Sequence, residues 1–97
     1  MRISGRKTMN NYTVTYSKTA KKQRKNIREA KLDKKVLSMI ERMMENPYQY
    51  SDDFEILKGD KKGLYSRRIN LHHRIVYSVD EEHREIFILS LWSHYEY

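Results

Sequence analysis

Glu55, Arg68, Arg74 and the pair His94-Tyr95 are the residues of this sequence with the types needed to break a phosphodiester bond. Cleavage of RNA through its own ribose needs a base for the 2′-hydroxyl proton, cations around the phosphorane and an acid for the departing 5′-oxygen. A carboxylate can be the base and an imidazole the acid. Arginines place positive charge where negative charge develops. Each group also has a plainer reading. Glu55 would be an ordinary exposed acid on a short strand, and His94 a locally satisfied residue after an apolar strand. The arginines would be solvent-facing strand positions or partners in ion pairs.

The element that must position the arginines is the stretch Gly63 to Val79, GLYSRRINLHHRIVYSV. Its Tyr, Ile and Val residues suit a pleated, half-buried surface. The pattern predicts a strand over Leu64–Ile69, a turn at Asn70-Leu71-His72 and a second strand over His73–Val79. Arg67, Arg68 and Arg74 then project from a rigid hairpin, where permanently charged planar donors suit a phosphate or carboxylate. If residues 68 and 74 pair across the turn, their side chains share a face. A register one residue different would bring Arg67 beside Arg74 instead.

Around the hairpin, the chain divides into residues 1–10, a basic tail without periodicity, and one domain over residues 11–97. Tyr12–Tyr16 alternates as a first strand, and Ser17 is placed to cap the helix after it. That helix runs Lys18–Ala30, with Ala20, Gln23, Ile27 and Ala30 on a narrow inner face. A second helix is predicted from a capping Asp33 to about Asn46, with Leu32 and Leu37 as a hydrophobic staple. Val36, Leu37, Met39, Ile40, Met43 and Met44 form its apolar stripe, and Pro47 stops it. The two helices are expected to lie as a hairpin on the sheet. Phe54–Lys58 is a short strand and Gly59–Gly63 a turn. Glu85–Ser93 reads as a central strand, with Ile86, Ile88 and Trp92 on one face and Phe87, Leu89 and Leu91 on the other.

Composition narrows the function. The 97 residues allow one modest core, and a net charge of +7 is spread unevenly. Residues 1–35 carry 12 Lys/Arg against Glu29 and Asp33, about +10, leaving about −3 for the remainder. Lys18, Lys21, Lys22, Lys25 and Arg28 fall on the outer half of the first helix, a face suited to a polyanion or simply to water. With no cysteine, disulfides and thiolate metal sites are excluded. His72 and His73 point to opposite faces of an extended segment, which argues against chelation, so neither a metal nor a cofactor is expected. No apolar run approaches the roughly 20 residues of a membrane helix, and a cytoplasmic protein without a membrane partner is the simplest reading.

The motifs Glu55-x-Leu57-Lys58, Gly63-x-Tyr65-Ser66-Arg67-Arg68-Ile69, His73-Arg74-x-Val76-Tyr77 and His94-Tyr95 resemble the YoeB/Txe toxins of the RelE superfamily, continuously from Pro47 to Tyr95. The first half agrees in layout rather than motif. The resemblance implies an α+β RelE-like fold, a twisted, mainly antiparallel sheet with an N-terminal strand and two packed helices. It implies a ribosome-dependent mRNA endoribonuclease neutralised by a YefM-type antitoxin, meeting operator DNA only through the antitoxin complex. It places the general base on Glu55, phosphate contacts on Arg68 and Arg74, the general acid on His94, and base stacking or support on Tyr95. Lys58 and Arg67 are further RNA contacts. The basic face of the first helix is then expected to meet the ribosome. Three departures are visible: Ser51-Asp52-Asp53 stands where the family often has Gly, Lys and Pro, Glu96-Tyr97 follow the His-Tyr pair, and the first helix is more basic and less aromatic than usual. The competing reading is a catalytically silent RelE-fold module that binds RNA or an antitoxin–operator complex. That reading needs only the basic helix, whereas the enzyme needs Glu55, Arg74 and His94 to converge.

Overall fold

The structure is a computed structural model and describes residues 11–94; the predicted basic tail and Tyr95 lie outside them. Strand β1 (Thr13–Tyr16) leads through Ser17 into α1 (Lys18–Glu29), and α2 (Asp33–Glu45) follows. Then come β2 (Phe54–Ile56), a 3₁₀ turn (Gly59–Lys61), β3 (Tyr65–Arg68), β4 (His73–Asp80) and β5 (Glu85–His94). The sheet order is β1-β5-β4-β3-β2. β1 runs parallel to β5, and the other pairings are antiparallel. This is the mainly antiparallel α+β architecture that the family resemblance implied.

The first helix starts where its sequence directs. Ser17 Oγ accepts from the Ala20 amide at 3.0 Å and donates to the Leu89 carbonyl at 2.7 Å, so one hydroxyl caps α1 and ties it to β5. Ala20 and Ile27 are buried as expected, whereas Ala30 is exposed.

The start of α2 differs from expectation. Asp33 is the first helical residue, and Leu32 is the cap, with no side-chain cap bond. The connection is so tight that one motif serves both helices. The Leu32 amide donates to the Ile27 carbonyl and Lys31 to Arg28, with Lys31 at φ 61°. These are the paired bonds of a Schellman ending, with lysine where glycine is usual. Leu37 lies at the margin of the apolar stripe, 58% exposed, and does not join the core. Val36, Met39, Ile40 and Met43 do face inward.

The helices cover the sheet face bearing Ile75, Tyr77, Ile86 and Ile88, all buried with the helix residues in one core. The opposite face carries Glu55, Ser66, Arg68, Arg74 and Val76, as the pairings Glu55↔Ser66, Ser66↔Val76 and Arg68↔Arg74 require. Strand β5 departs from simple alternation. Against His73–Tyr77 it runs from Ile88 to His94, two extra residues accommodated in bulges. The irregularity turns Leu91 to the helix side beside Ile88, rather than to the face of Phe87 and Leu89. Gln23 of α1 holds it: its Oε1 accepts from the Leu91 and Trp92 amides at 2.7 and 3.1 Å and from Ser90 Oγ at 3.1 Å.

Candidate active site

The turn between β3 and β4 sets the site. Asn70 Oδ1 accepts from the His72 and His73 amides, both at 2.9 Å, while the Ile69 amide donates to the His73 carbonyl at 2.8 Å. This local cage fixes the register that pairs Arg68 with Arg74 and Arg67 with Ile75. Arg68 and Arg74 therefore share the face away from the helices. Strand β2 adds Glu55 on that face, and its Oε1 lies 3.7 Å from Arg74 Nη1. Glu55 is half-exposed, whereas the Arg74 side chain is 12% exposed. A guanidinium held this deep has little freedom, and an anion reaching it must come to the open face.

His94 closes β5 with its backbone opposite His73, one residue after Ser93, the partner of Arg74. His94 is thus in register with His73, and Ser93 with Arg74. Beside it the His73 ring stacks on Trp92, with centroids 3.6 Å apart and planes 12° from parallel. Lys58 is exposed just beyond β2, ahead of the 3₁₀ turn. Lys18, Lys21, Lys22, Lys25 and Arg28 are exposed on α1, which packs on the opposite side of the sheet from Glu55 and Arg74.

Arg67 does not join this group, which corrects its placing as an RNA contact. Paired with Ile75, it points to the helix side and is 7% exposed. Its Nη2 donates to the Gln49 carbonyl at 2.7 Å and the Pro47 carbonyl at 3.4 Å, and its Nη1 donates to Ser51 Oγ at 3.3 Å. Asp53 lies 3.8 Å away, and the guanidinium sits 4.5 Å over the Phe54 ring. A cation so committed to the 47–53 loop is a fastener of that loop. Tyr77 fastens it from beneath, donating to the Pro47 carbonyl at 2.7 Å, and burial pushes its phenol up to about 12.

The far end of the β4–β5 hairpin carries different chemistry. Glu81 accepts from the hydroxyls of Tyr12 and Tyr48 and pairs with Arg84. Those hydrogen bonds, the Tyr48 bond foremost, hold its carboxyl below the usual range. Among the described residues Asp80, Glu82 and His83 form the one cluster with metal-ligand geometry, and all three are exposed. His83 Nδ1 is 2.8 Å from Asp80 Oδ2, and that hydrogen bond raises the imidazole and lowers the carboxyl. A group raised on folding adds stability below its unfolded value near 6.5 and loses it as pH climbs through the folded value. Proton NMR titration should therefore place His83 above 6.5, and Asp80→Asn should return it toward that value.

Several residues of the open face were not singled out by sequence. A concavity of about 360 Å³ adjoins Arg74 and includes Ser90 and Ser93. Ser90 reaches that face because of the β5 bulge, which no periodicity discloses, whereas Ser93 lies where the alternation of Phe87 and Leu89 already puts it.

With this geometry in place, likeness to known proteins is informative. Residues 15–95 match the family described as the YoeB-like toxin of bacterial type II toxin-antitoxin systems. Toxin YoeB of Synechocystis sp. is 35% identical over 66 residues, covering 68% of this chain and 74% of that protein. A YoeB/ParE toxin from Agrobacterium tumefaciens superposes with a TM-score of 0.77 at 25% identity, covering 86% of this chain and 99% of that one. In a heterotetrameric YoeB–YefM complex from Staphylococcus aureus, the matching chain is 33% identical with a TM-score of 0.72, covering 87% of this chain and 98% of that one. The matched span takes in both helices, all of the sheet but the first two residues of β1, and the face that bears Glu55, Arg68 and Arg74, so this chain belongs to the YoeB-like toxins of bacterial type II toxin–antitoxin systems.

Proposed function

We propose that this toxin is a ribosome-dependent mRNA endoribonuclease that cleaves by attack of the 2′-hydroxyl on its neighbouring phosphate. The observation that carries the reading is the convergence of Glu55, Arg68 and Arg74 on one sheet face. In the resting state Glu55 pairs with Arg74. An incoming phosphate competes for that guanidinium, and Glu55 turns to the 2′-hydroxyl as general base. Arg68 and Arg74 stabilise the phosphorane, His94 protonates the 5′-oxygen, and Tyr95 stacks on or supports a base. Guanidinium charge takes the part a metal ion would otherwise play. A silent binding module would have no use for a carboxylate set against paired arginines on the face away from its basic helix.

The test is an in vitro translation reaction with primer extension on the message. The expected product ends in a 2′,3′-cyclic phosphate. A 2′-deoxy nucleotide at the scissile position should block the reaction. Normal cleavage of the 2′-deoxy message would rule the mechanism out.

The basic face of α1 is assigned to the ribosome and not to the scissile message, because it lies across the sheet from Arg74. Reversing Lys21, Lys22 and Lys25 to Glu should weaken ribosome binding and flatten its salt dependence. Unchanged affinity in a sedimentation assay would remove the helix from that role. The partner proposed for neutralisation is a YefM-type antitoxin, on the strength of likeness to the S. aureus complex. Its acidic segment would reach Arg68 and Arg74 through charge-assisted hydrogen bonds, and operator DNA would be met only through that complex.

A further inference from the structure

Beside Arg74 the open face dips into a concavity of about 360 Å³. Leu57, Leu64 and Leu89 form apolar walls, and Lys61 stands at its rim with Arg74. Such a mixture fits a planar ring slid between apolar surfaces while a phosphate stays at the cationic edge. The polar corner consists of Ser90 and Ser93, and their hydroxyls do not point at random.

Gln23 Oε1 accepts from two backbone amides, which fixes the end of the side-chain amide that faces β5. It must therefore be an acceptor toward Ser90 Oγ, 3.1 Å away, and Ser90 must give its proton to it. Ser93 Oγ lies 2.5 Å from Ser90 Oγ. With the Ser90 proton engaged, Ser93 has to donate in that contact. The chain Ser93→Ser90→Gln23 leaves Ser93 with lone pairs and no proton for anything in the concavity. Ser93 is also the direct cross-strand partner of Arg74, so its oxygen sits next to the phosphate position.

Resting on the endoribonuclease reading of this face, we infer that the concavity is a nucleobase subsite in which Ser93 accepts from an exocyclic amino group. Adenine, cytosine and guanine each carry one. Uracil carries none: the one N–H of its pairing edge is recessed between two carbonyls, which would crowd an acceptor oxygen. One hydrogen bond is worth up to about tenfold in affinity, and the subsite should prefer amino-bearing bases over uracil by about that factor.

The test is direct binding to short RNAs that cannot be cleaved. Trinucleotides with a 2′-deoxy sugar at the scissile position, differing in one flanking base (A, C, G or U), are titrated against the full chain by fluorescence anisotropy. The amino-bearing members should bind about tenfold more tightly than the uracil member at one flanking position, and Ser93→Ala should erase the difference. Ser90→Ala leaves Ser93 in place but frees its proton, so uracil should recover in that variant. Equal affinities for all four bases in the native protein, or an unchanged preference in Ser93→Ala, would overturn the subsite. A preserved preference alongside no cleavage of the all-ribose RNA on ribosomes would overturn the reaction and leave the subsite standing.

Discussion

Glu55→Gln slows message cleavage on the ribosome by about 10²–10⁴, the usual range for loss of one positioned acid or base. The substitution keeps the shape of the side chain and removes its basicity. Glu55 is half-exposed on the three-residue edge strand β2, so the fold should hardly notice; surface changes of this kind usually stay within about 0.5 kcal/mol. Arg74 is the residue that would notice, because its carboxylate neighbour at 3.7 Å becomes neutral. Phosphate should then reach the arginine with less competition, and message affinity should hold or rise while the rate falls. That split between binding and turnover separates a lost base from a lost docking contact. His94→Gln should cost a similar factor for the opposite proton. Single-turnover rates across pH check the assignment: the ascending limb should vanish in Glu55→Gln and the descending limb in His94→Gln. A native rate in either variant would remove that residue from the mechanism.

How much of this site could be read in advance depends on how local its causes are. The hairpin was legible because Tyr, Ile and Val alternate over Tyr65–Val79 and Asn70 closes the turn within four residues. The choice between Arg67 and Arg68 was left open by a possible one-residue slip, and the Asn70 cage decides it. The β5 bulge was not legible. Ile86, Phe87, Ile88 and Leu89 set an alternation that runs unbroken to Trp92 on paper. The interruption is imposed by Gln23, 67 residues away in sequence from Ser90. Nor does a pattern of apolar residues show that β1 pairs parallel with β5, since that contact comes from the α1–α2 hairpin returning the chain across the sheet. The cap on α2 failed for a local reason. Leu32 serves the ending of α1, and Asp33 is left one position too late to cap. Local patterns therefore gave the elements, and contacts distant in sequence placed Ser90 and Leu91.

Arg67 and Arg68 offer the sharpest contrast, because neighbouring residues of one type should fail in different ways. Arg67→Ala removes donors from the Pro47 and Gln49 carbonyls and from Ser51, and takes a cation from beside Asp53 and Phe54. Breaking a buried charged contact of this kind costs about 3–5 kcal/mol. The lower end is apt because Asp53 is 34% exposed and water can take its charge. For a domain of this size about 3 kcal/mol lowers the thermal midpoint by more than about 10 °C. Arg67→Lys keeps the charge but loses the planar fork that spans several acceptors, so it should recover only part of the loss. Arg68→Ala acts on the other face and should move the midpoint far less, while phosphate binding and cleavage fall. Calorimetry and single-turnover cleavage on the same three variants decide the matter. A stable Arg67→Ala protein with slow cleavage would return Arg67 to the RNA and take it out of the scaffold.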